Sequence, residues 1–337
     1  MAVSSEITGA PRAHAATSGR TVPGRAVTIN DRLAYVAVRA VQAIVSRLPV
    51  QLALWLARRT GDLACLVMPR RRAVAAEALR TTFGLAPGDA QLARLTRQAF
   101  EHIVLVAVEL VLVHRRWRRA GGLHARPAGL LPECGELCGL QRFREIKQRG
   151  CGAIVVTGHV GNWEVMGAIA ASIGVPVSVV HRPLDNALID RWLLALRTDF
   201  GTHLIEKQGA MKGLARALVR NENVVLLMDQ HAGRGGLKLP FLGREASTFD
   251  TAARLARRFA APIFGVFTYR LPEPLRFRMA IELVAEPDPT LDKEADVVRM
   301  TRLANDALSS AIRHHPDQWL WLHRRWRAER RPPAASE

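Results

Sequence analysis

Residues 152–169, with the sequence GAIVVTGHVGNWEVMGAI, decide the fold and contain the candidate chemistry. Residues 153–156 are apolar and partly β-branched, as in a buried strand, and residues 157–161 have the glycine content of a turn. Asn162 is a favoured helix N-cap, and the alanine-rich pattern of residues 163–172 predicts a packed helix. The stretch therefore predicts a strand, a tight turn and a helix.

The turn places His159 five residues before Glu164. On one continuous helix, at about 100° per residue, residues five apart lie on different faces. The two side chains can meet only across a turn, which this stretch provides. We therefore predict that the Glu164 carboxylate binds one imidazole nitrogen of His159 and leaves the other free as a general base. A structural histidine at a strand end is the alternative.

A metal site is a further interpretation of the same histidine. His181, Asp229 and His231 would supply the other ligands. None of these residues has the close paired spacing of a known zinc motif. We therefore predict neither a metal nor a cofactor.

Strands and helices alternate after this stretch. Apolar strands are predicted at residues 176–180, 202–205, 223–228 and 262–269, and helices at 186–200, 211–220 and 248–260. This alternation predicts an α/β fold with a mixed, largely parallel central sheet flanked by helices. His159, Arg182 and Asp229 each follow an apolar strand. Because ligands bind beyond the carboxyl ends of strands in such sheets, we expect these three side chains to lie at one edge.

A glycine-rich, basic segment follows, HAGRGGLKLPFLGR at residues 231–244. Its cations are Arg234, Lys238 and Arg244. The segment lacks the Lys-Ser/Thr ending of a nucleotide-binding P-loop, so we interpret it as a loop that binds a phosphate or a carboxylate. An exposed hairpin is the alternative.

The chain is predicted to have four parts. Residues 1–30 and 329–337 are predicted to be disordered tails, and residues 121–328 to form the catalytic domain. Residues 31–120 are predicted to form a membrane-associated helical region. The longest uncharged run in its first two helices, residues 48–57, is too short to span a hydrocarbon core of about 30 Å. Arginines interrupt the apolar stretches, as in helices that lie in the membrane interface, and core helices of a soluble bundle are the alternative.

The charge of the chain indicates an anionic partner. Lys and Arg total 48 against 30 Asp and Glu, which gives a net charge of +18. Nucleic acid, an anionic membrane surface and an acidic carrier protein all have the required charge.

The ordered motifs resemble the lipid A biosynthesis acyltransferase family, the late lauroyl and myristoyl transferases of bacterial lipopolysaccharide, within the lysophospholipid acyltransferase superfamily. The resemblance covers residues 33–327. It rests on TGHVGNWE at residues 157–164, HRPLDN at 181–186, DQ at 229–230 followed by LPFLGREAST, then APIFGVFTYR and QWLWLHRRWR. Together and in this order the motifs are specific, whereas HxxxxE alone is not.

The resemblance implies roles for individual residues. His159 matches the catalytic base of the family and Glu164 its acidic partner, so these two are the predicted catalytic residues. The predicted substrate-binding residues are Asn162, Arg182, Asp229, Gln230, Arg234, Lys238, Gly243 and Arg244.

The resemblance also implies a reaction and a location. An acyl chain would pass from a thioester of acyl carrier protein, or of coenzyme A, to a hydroxyl of a phosphorylated lipid A precursor. The enzyme would lie at the cytoplasmic face of the inner membrane, on its anionic surface, with no nucleic acid partner. Three alternatives stay open: another lipid acceptor such as a phosphatidylinositol mannoside or a lysophospholipid, a thioesterase that uses the same residues on water, and a basic binding protein without enzyme activity.

Overall fold

The computed structural model describes residues 26–122, 135–207 and 209–327. Apart from residues 26–30, the two tails predicted at 1–30 and 329–337 lie outside this range. The N-terminal part is helical, with α1 (Ile29–Val45), α2 (Val50–Val67), α3 (Pro69–Phe83) and α4 (Ala90–Arg119). Helix α1 begins with a capping box between Thr28 and Asp31, so it starts two residues before the predicted region.

Strands and helices then alternate as predicted up to the strand at Asn223–Leu227. The strands are β1 (Gly135–Cys138), β2 (Ala153–Thr157), β3 (Val177–His181), β4 (His203–Glu206), β5 (Asn223–Leu227), β6 (Leu237–Phe241), β7 (Arg244–Thr248), β8 (Ile263–Arg270) and β9 (Phe277–Ala285). The helices are α5 (Leu140–Lys147), α6 (Met166–Ser172), α7 (Ala187–Asp199), α8 (Ala210–Val219), α9 (Thr251–Phe259) and α10 (Lys293–His314). Within residues 209–327, the strands β5, β6 and β7, and then β8 and β9, follow one another without a helix between them.

Seven of these strands form one sheet in the order β1-β9-β8-β2-β5-β3-β4. Every neighbouring pair in this sheet is parallel except β8 and β9, which are antiparallel. The prediction of a mixed, largely parallel sheet flanked by helices is therefore confirmed. Strands β6 and β7 form a separate antiparallel hairpin.

Strand β2 lies in the middle of the sheet and is buried along its whole length. Its side chains alternate between two apolar clusters, because successive residues of a strand point to opposite faces. Val155 packs into the cluster that contains residues of α4, α5 and α6, whereas Ile154 and Val156 pack into the cluster formed with α8, α9 and α10. Helices therefore cover both faces of the strand that leads into His159.

The N-terminal helices contribute to the same core. Leu105 and Trp117 of α4 belong to the cluster that contains Val155. Helix α1, by contrast, buries none of its residues. Within the three described ranges, no helix has both the length and the apolar character that a membrane crossing requires.

Candidate active site

The register of the sheet brings His159 and Asp229 together. Strands β2 and β5 are parallel neighbours, and Thr157 is paired with Leu227. His159 and Asp229 each lie two residues beyond these paired positions. Adjacent strands are about 4.8 Å apart, so equivalent positions beyond their carboxyl ends lie within contact distance. The prediction that side chains meet at this edge holds for these two residues.

Two hydrogen bonds join the pair. The Nδ1 atom of His159 lies 2.9 Å from Oδ1 of Asp229, and the backbone N–H of His159 donates to Oδ2 at 2.7 Å. An ionised carboxylate only accepts hydrogen bonds, so Nδ1 carries the imidazole proton. This tautomer leaves Nε2, on the other side of the ring, with a lone pair. A histidine held in this way is suited to act as a general base.

The local electrostatics favour a basic imidazole. Burial lowers the pKa of His159, but the charge and hydrogen bond of Asp229 together with the charge of Glu164 outweigh it, so this pKa is raised above its ordinary value. Burial raises the pKa of Asp229, yet its bonds to His159 and to the indole of Trp319 bring it down to about 2. Asp229 is thus ionised at neutral pH.

Two glycines allow the turn to approach its neighbours closely. A Cβ atom on Gly158 would lie 3.0 Å from the carboxylate carbon of Asp229. Gly161 has φ of +57°, and a Cβ there would lie 2.0 Å from the carbonyl oxygen of Thr268. Glycine is required at Gly161 both for its backbone conformation and for its lack of a side chain.

The predicted contact between Glu164 and His159 is wrong. Glu164 instead forms a bidentate ion pair with Arg197 of α7, with N–O distances of 2.6 and 2.9 Å, and also accepts from the indole of Trp163. The guanidinium fork matches both carboxylate oxygens, so Glu164 acts on the imidazole through its charge and not through a hydrogen bond. Asp229, predicted only to bind substrate, occupies the position expected for Glu164.

Asn162 is also placed differently from its predicted role in substrate binding. Its side chain is completely buried, and its Oδ1 accepts from the backbone N–H groups of Glu164 and Val165. Its Nδ2 donates to Glu109 of α4 at 2.8 Å. Asn162 therefore caps the turn 163–165, and its side chain has no atom available to a substrate.

Glu109 extends this contact to strand β8. Its carboxylate is 1% exposed and forms a bidentate ion pair with Arg270, one arm of which measures 2.8 Å. The Arg270 guanidinium also lies 3.4 Å from Nδ1 of His102, and burial is the first cause that holds the pKa of His102 well below its ordinary value. A buried polar network thus connects α4, β8 and the turn after His159.

Arg182 follows the third strand of this edge. It is exposed and comes directly after His181, the last residue of β3, which pairs with β5. His181 itself is bound to Asp190, with Nε2 3.1 Å from Oδ1. Asp190 also accepts from the backbone N–H of Leu184 at 2.8 Å, which closes the loop around Arg182.

The predicted phosphate loop is in large part a hairpin. Residues 237–241 pair with 244–248, and the two-residue turn between them has φ of +52° at Leu242 and +84° at Gly243, as in a type I′ turn. Arg244 lies over the ring of Trp326, with its guanidinium carbon 4.7 Å from the ring centroid. This part is therefore a hairpin, as in the alternative, but not an exposed one, since Phe241 and Leu242 are buried. Gly243 lies in its turn, and binding of a phosphate or a carboxylate by the segment stays a prediction.

The other predicted residues of this segment lie before the hairpin turn. Gln230 is half-buried, and its carbonyl oxygen accepts from Arg325 at 3.2 Å. Arg234 and Lys238 are both exposed. Within the described ranges, no group of three or more His, Cys, Asp or Glu side chains is placed to hold a metal ion.

An apolar cavity lies between the sheet and helices α5 and α6. It shares two elements with the candidate site, since Val155 belongs to β2 and Met166 is the first residue of α6. The remaining lining residues are Leu140, Phe143, Ala170, Ile173, Val175, Val177, Asn223, Val225, Val266, Met279 and Ile281.

Comparison with known proteins identifies the family. The family described as "Bacterial lipid A biosynthesis acyltransferase" matches residues 26–328. The chain belongs to this family. Its members transfer acyl groups, so the chain is an acyltransferase enzyme. The predicted resemblance is confirmed over nearly the whole chain.

Individual relatives of this family member are distant. It is 29% identical over 195 residues to the lipid A biosynthesis lauroyltransferase of Escherichia coli, covering 57% of the chain and 61% of the relative, less than two thirds of that enzyme. It is 23% identical over 283 residues to the palmitoleoyltransferase of the same organism, covering 83% and 87%. A phosphatidylinositol mannoside acyltransferase of Mycolicibacterium smegmatis is 24% identical over 230 residues, covering 67% and 73%.

A solved structure similar to this family member is the 1-acyl-sn-glycerophosphate acyltransferase PlsC of Thermotoga maritima. The comparison covers 80% of this chain and 97% of that one, with 11% identity and a TM-score of 0.36.

Three residues of this acyltransferase contact the predicted site residues without having been predicted, and a fourth, Arg270, contacts one of the three. Arg197 binds Glu164, Glu109 accepts from Asn162 and is itself paired with Arg270, and Trp319 donates to Asp229. Glu109 had a signal in the sequence, because a carboxylate within an apolar helical run needs a buried partner. Arg270 and Trp319 lie in the motifs APIFGVFTYR and QWLWLHRRWR, which did not show what these residues contact. The others come from segments far apart in the chain, and no local pattern pairs them.

Proposed function

We propose that this acyltransferase moves a fatty acyl chain from the thioester of an acyl carrier protein to a hydroxyl of a lipid A precursor, with His159 as the general base. The observation that carries the proposal is the contact between His159 Nδ1 and Asp229, in a member of this family. It fixes the tautomer that leaves Nε2 able to accept a proton from a hydroxyl.

The chemical step needs one base that later acts as an acid. Nε2 of His159 takes the proton of the acceptor hydroxyl while the oxygen attacks the thioester carbonyl. The carbon–sulfur bond of the resulting tetrahedral intermediate then breaks, and the imidazolium returns its proton to the departing thiolate. Asp229 stabilises the imidazolium between these two events, in the way that a buried carboxylate assists the histidine of a hydrolase triad.

Charge supports the proposed partners. An acyl carrier protein is acidic and a lipid A precursor is phosphorylated, whereas this chain has a net charge of +18. Arg182 is the proposed ligand of an acceptor phosphate, because it is exposed and follows β3, next but one to β2 in the sheet. A guanidinium binds phosphate oxygens in a bidentate manner.

We further propose that α1 and α2 rest on an anionic membrane surface. Both helices expose large apolar side chains, among them Leu33, Val36, Trp55, Leu63 and Leu66. Exposed arginines at positions 39, 47, 58, 59 and 70–72 accompany them. Apolar side chains combined with cations are what an interfacial helix requires.

The position of α1 relates this surface to the site. Asn186, at the end of the loop that bears Arg182, donates to the backbone carbonyl of Asp31 in α1 at 2.9 Å. Trp192 of α7 donates to Gln42 of α1 at 3.0 Å. A membrane under α1 would therefore lie beside the loop that we propose for the acceptor headgroup.

Transfer to another lipid is the second candidate function. The observation that favours it is the similarity to a phosphatidylinositol mannoside acyltransferase, which covers two thirds of this chain. Such an acceptor is also an anionic lipid with free hydroxyls, so the same base and the same cationic surface would serve.

The test is a transfer assay with the full chain in detergent. It is incubated with an acyl carrier protein thioester and a lipid A precursor, next to His159→Ala, and the lipids are resolved by mass. We expect the precursor to gain one acyl chain, and His159→Ala to lose this product. Free fatty acid without an acylated lipid would indicate hydrolysis. Acylation of a phosphatidylinositol mannoside but not of the lipid A precursor would show that the acceptor is the phosphatidylinositol mannoside.

A further inference from the structure

The segment before the C-terminal end of the described chain lies directly beside the turn of His159. The backbone N–H of Gly161 donates to the carbonyl of Gln318 at 2.7 Å, and the N–H of Leu320 donates to the carbonyl of His159 at 3.2 Å. Val160 and Trp319 form an antiparallel bridge between these two bonds. Residues 318–320 therefore act as a short strand that fixes the backbone of the turn.

Trp319 also reaches the pair through its side chain. It is 1% exposed, and its indole Nε1–H donates to Oδ2 of Asp229 at 2.9 Å. Its ring packs edge-on against Trp321, with centroids 4.6 Å apart, and at a tilt of 50° against Phe241, with centroids 5.7 Å apart. This packing leaves the indole one orientation, in which its N–H points at the carboxylate.

The Asp229 carboxylate thus receives three hydrogen bonds from two residues. Oδ1 binds the imidazole of His159, and Oδ2 is shared by the backbone N–H of His159 and the indole of Trp319. The indole cannot be deprotonated at physiological pH and donates in both protonation states of His159. It therefore competes with the imidazole for the negative charge throughout the reaction.

We propose that Trp319 is a positioning residue of the His159–Asp229 pair: it holds the carboxylate and draws charge from it, and so limits how strongly Asp229 stabilises protonated His159. A base of this kind must release its proton to the leaving group, so a limit on its basicity serves the second half of the proposed transfer. The role of Trp319 in acyl transfer rests on the proposed function, whereas its effect on His159 does not.

Other charged and titratable groups also face the pair. They are Glu164 and Arg197 on one side, His102 from α4, and His323 and Arg325 from the C-terminal segment. None of them is removed by a change at Trp319, so their influence on His159 is shared by every variant compared below.

The chain supplies a matched control in Trp321. This residue is 0% exposed, belongs to the same aromatic cluster, and donates its indole N–H to the backbone carbonyl of Pro316 at 2.7 Å. Trp319→Phe and Trp321→Phe therefore each remove one buried indole hydrogen bond and a similar volume. Only the first removes a bond to Asp229.

The experiment measures the pKa of His159 by NMR in the full chain for wild type and both variants. In Trp319→Phe, the backbone N–H of His159 still holds the Asp229 carboxylate in place. Without the indole hydrogen bond, the negative charge on this carboxylate interacts more strongly with the imidazolium of His159 than in wild type. We expect the pKa of His159 to rise by roughly half a unit, which is about a threefold change in the neutral fraction. We expect Trp321→Phe to leave it at the wild-type value.

The transfer rate supplies a second readout. Below the pKa of His159, Trp319→Phe should transfer the acyl chain about threefold more slowly than Trp321→Phe. This difference in rate should disappear at high pH, where His159 is neutral in both variants. A pKa equal to that of Trp321→Phe, or one that falls, would overturn the proposal. Absence of acyl transfer in wild type, with the pKa effect intact, would instead contradict the proposed function.

The wild-type protein allows the same test without a substitution, should Trp319→Phe fail to fold. The indole Nε1–H signal of Trp319 should shift with the protonation of His159, because Asp229 lies between them. The corresponding signal of Trp321 should not. A Trp319 signal that is insensitive to this titration would equally refute the role.

Discussion

Asp229 accepts two hydrogen bonds from His159, one from the backbone N–H and one from Nδ1. The first fixes where the carboxylate lies relative to the turn, and the second fixes the imidazole tautomer. Because both bonds come from one residue, the orientation of the ring depends on the register of β2 and β5 and not on a flexible loop. The base is therefore preorganised before any substrate binds.

The pH dependence of acyl transfer should reflect this contact. The base must be neutral to accept a proton, and the pKa of His159 is raised above the ordinary value of about 6.5. The rate should therefore increase with pH and level off only above pH 6.5. Asp229→Asn should move this limb to lower pH and reduce the plateau by roughly 10³- to 10⁴-fold, as loss of the carboxylate does in a hydrolase triad.

Rate profiles of the two proteins from pH 5 to 9, with saturating substrates, make this comparison. If the rise of the wild-type rate with pH gives a pKa at or below the ordinary histidine value of about 6.5, Asp229 does not raise the basicity of His159 in solution.

Gly161 should be among the least replaceable residues of the turn. An alanine there meets the carbonyl of Thr268 in addition to the strain of a positive φ, which by itself costs roughly 1–2 kcal/mol. Gly174 is the matched control, since its φ is +73° and a Cβ there has nothing within 4 Å. In urea unfolding we expect Gly161→Ala to lose clearly more free energy of unfolding than Gly174→Ala. Equal losses would mean that the turn moves away from β8 at little cost.

The strand–turn–helix around His159 and the largely parallel sheet were predictable, because local patterns encode them. Apolar runs such as residues 153–156 and 223–228 identify buried strands whatever their neighbours are. The partner of His159 was not predictable. The HxxxxE pattern places His159 and Glu164 close in sequence, and nothing in the local sequence shows that Glu164 is paired with Arg197 instead. Asp229 lies at the right place only because β5, 70 residues later, is the neighbour of β2.

The same limit explains the elements that were not predicted. Strands β1 and β9 and helix α10 lie in segments whose patterns mix polar and apolar residues, and the burial of β9 follows no strict alternation, with Arg278 and Glu282 exposed. Strand β9 is placed by pairing with β8, β1 by pairing with β9, and α10 by packing on the sheet. The hairpin at residues 237–248 was not predicted as the leading interpretation, because glycine is as common in tight turns as in loops that bind anions.

The ion pair of Glu109 and Arg270 should stabilise the fold only as a pair. Removing one partner leaves a buried charge without compensation, which costs roughly 3–5 kcal/mol. We expect Glu109→Gln and Arg270→Met each to lower the free energy of unfolding by about this amount, and the double variant to lose less than the sum of the two. Chemical denaturation of the four proteins measures the coupling. Strict additivity would contradict a direct interaction between these side chains.

Membrane binding should depend on α2. Leu63 and Leu66 are 59% and 68% exposed, so glutamate at both positions should leave the fold intact while placing charge in the proposed interface. We expect the double variant to lose most of its binding to vesicles of anionic phospholipid in a flotation assay. Val219→Glu on α8, at a position that is 74% exposed, is the control and should bind as wild type does. Unchanged binding of the α2 variant would exclude this face as the membrane contact.

The central claim is that Asp229, and not Glu164, sets the state of His159. The most direct measurement is the pKa of His159 by NMR in Asp229→Asn and Glu164→Gln. We predict that Asp229→Asn lowers it by roughly one unit or more, as expected when an opposite charge in contact is removed. Glu164→Gln should lower it by much less, because the Glu164 carboxylate is already paired with Arg197. A larger fall in Glu164→Gln than in Asp229→Asn would contradict the account.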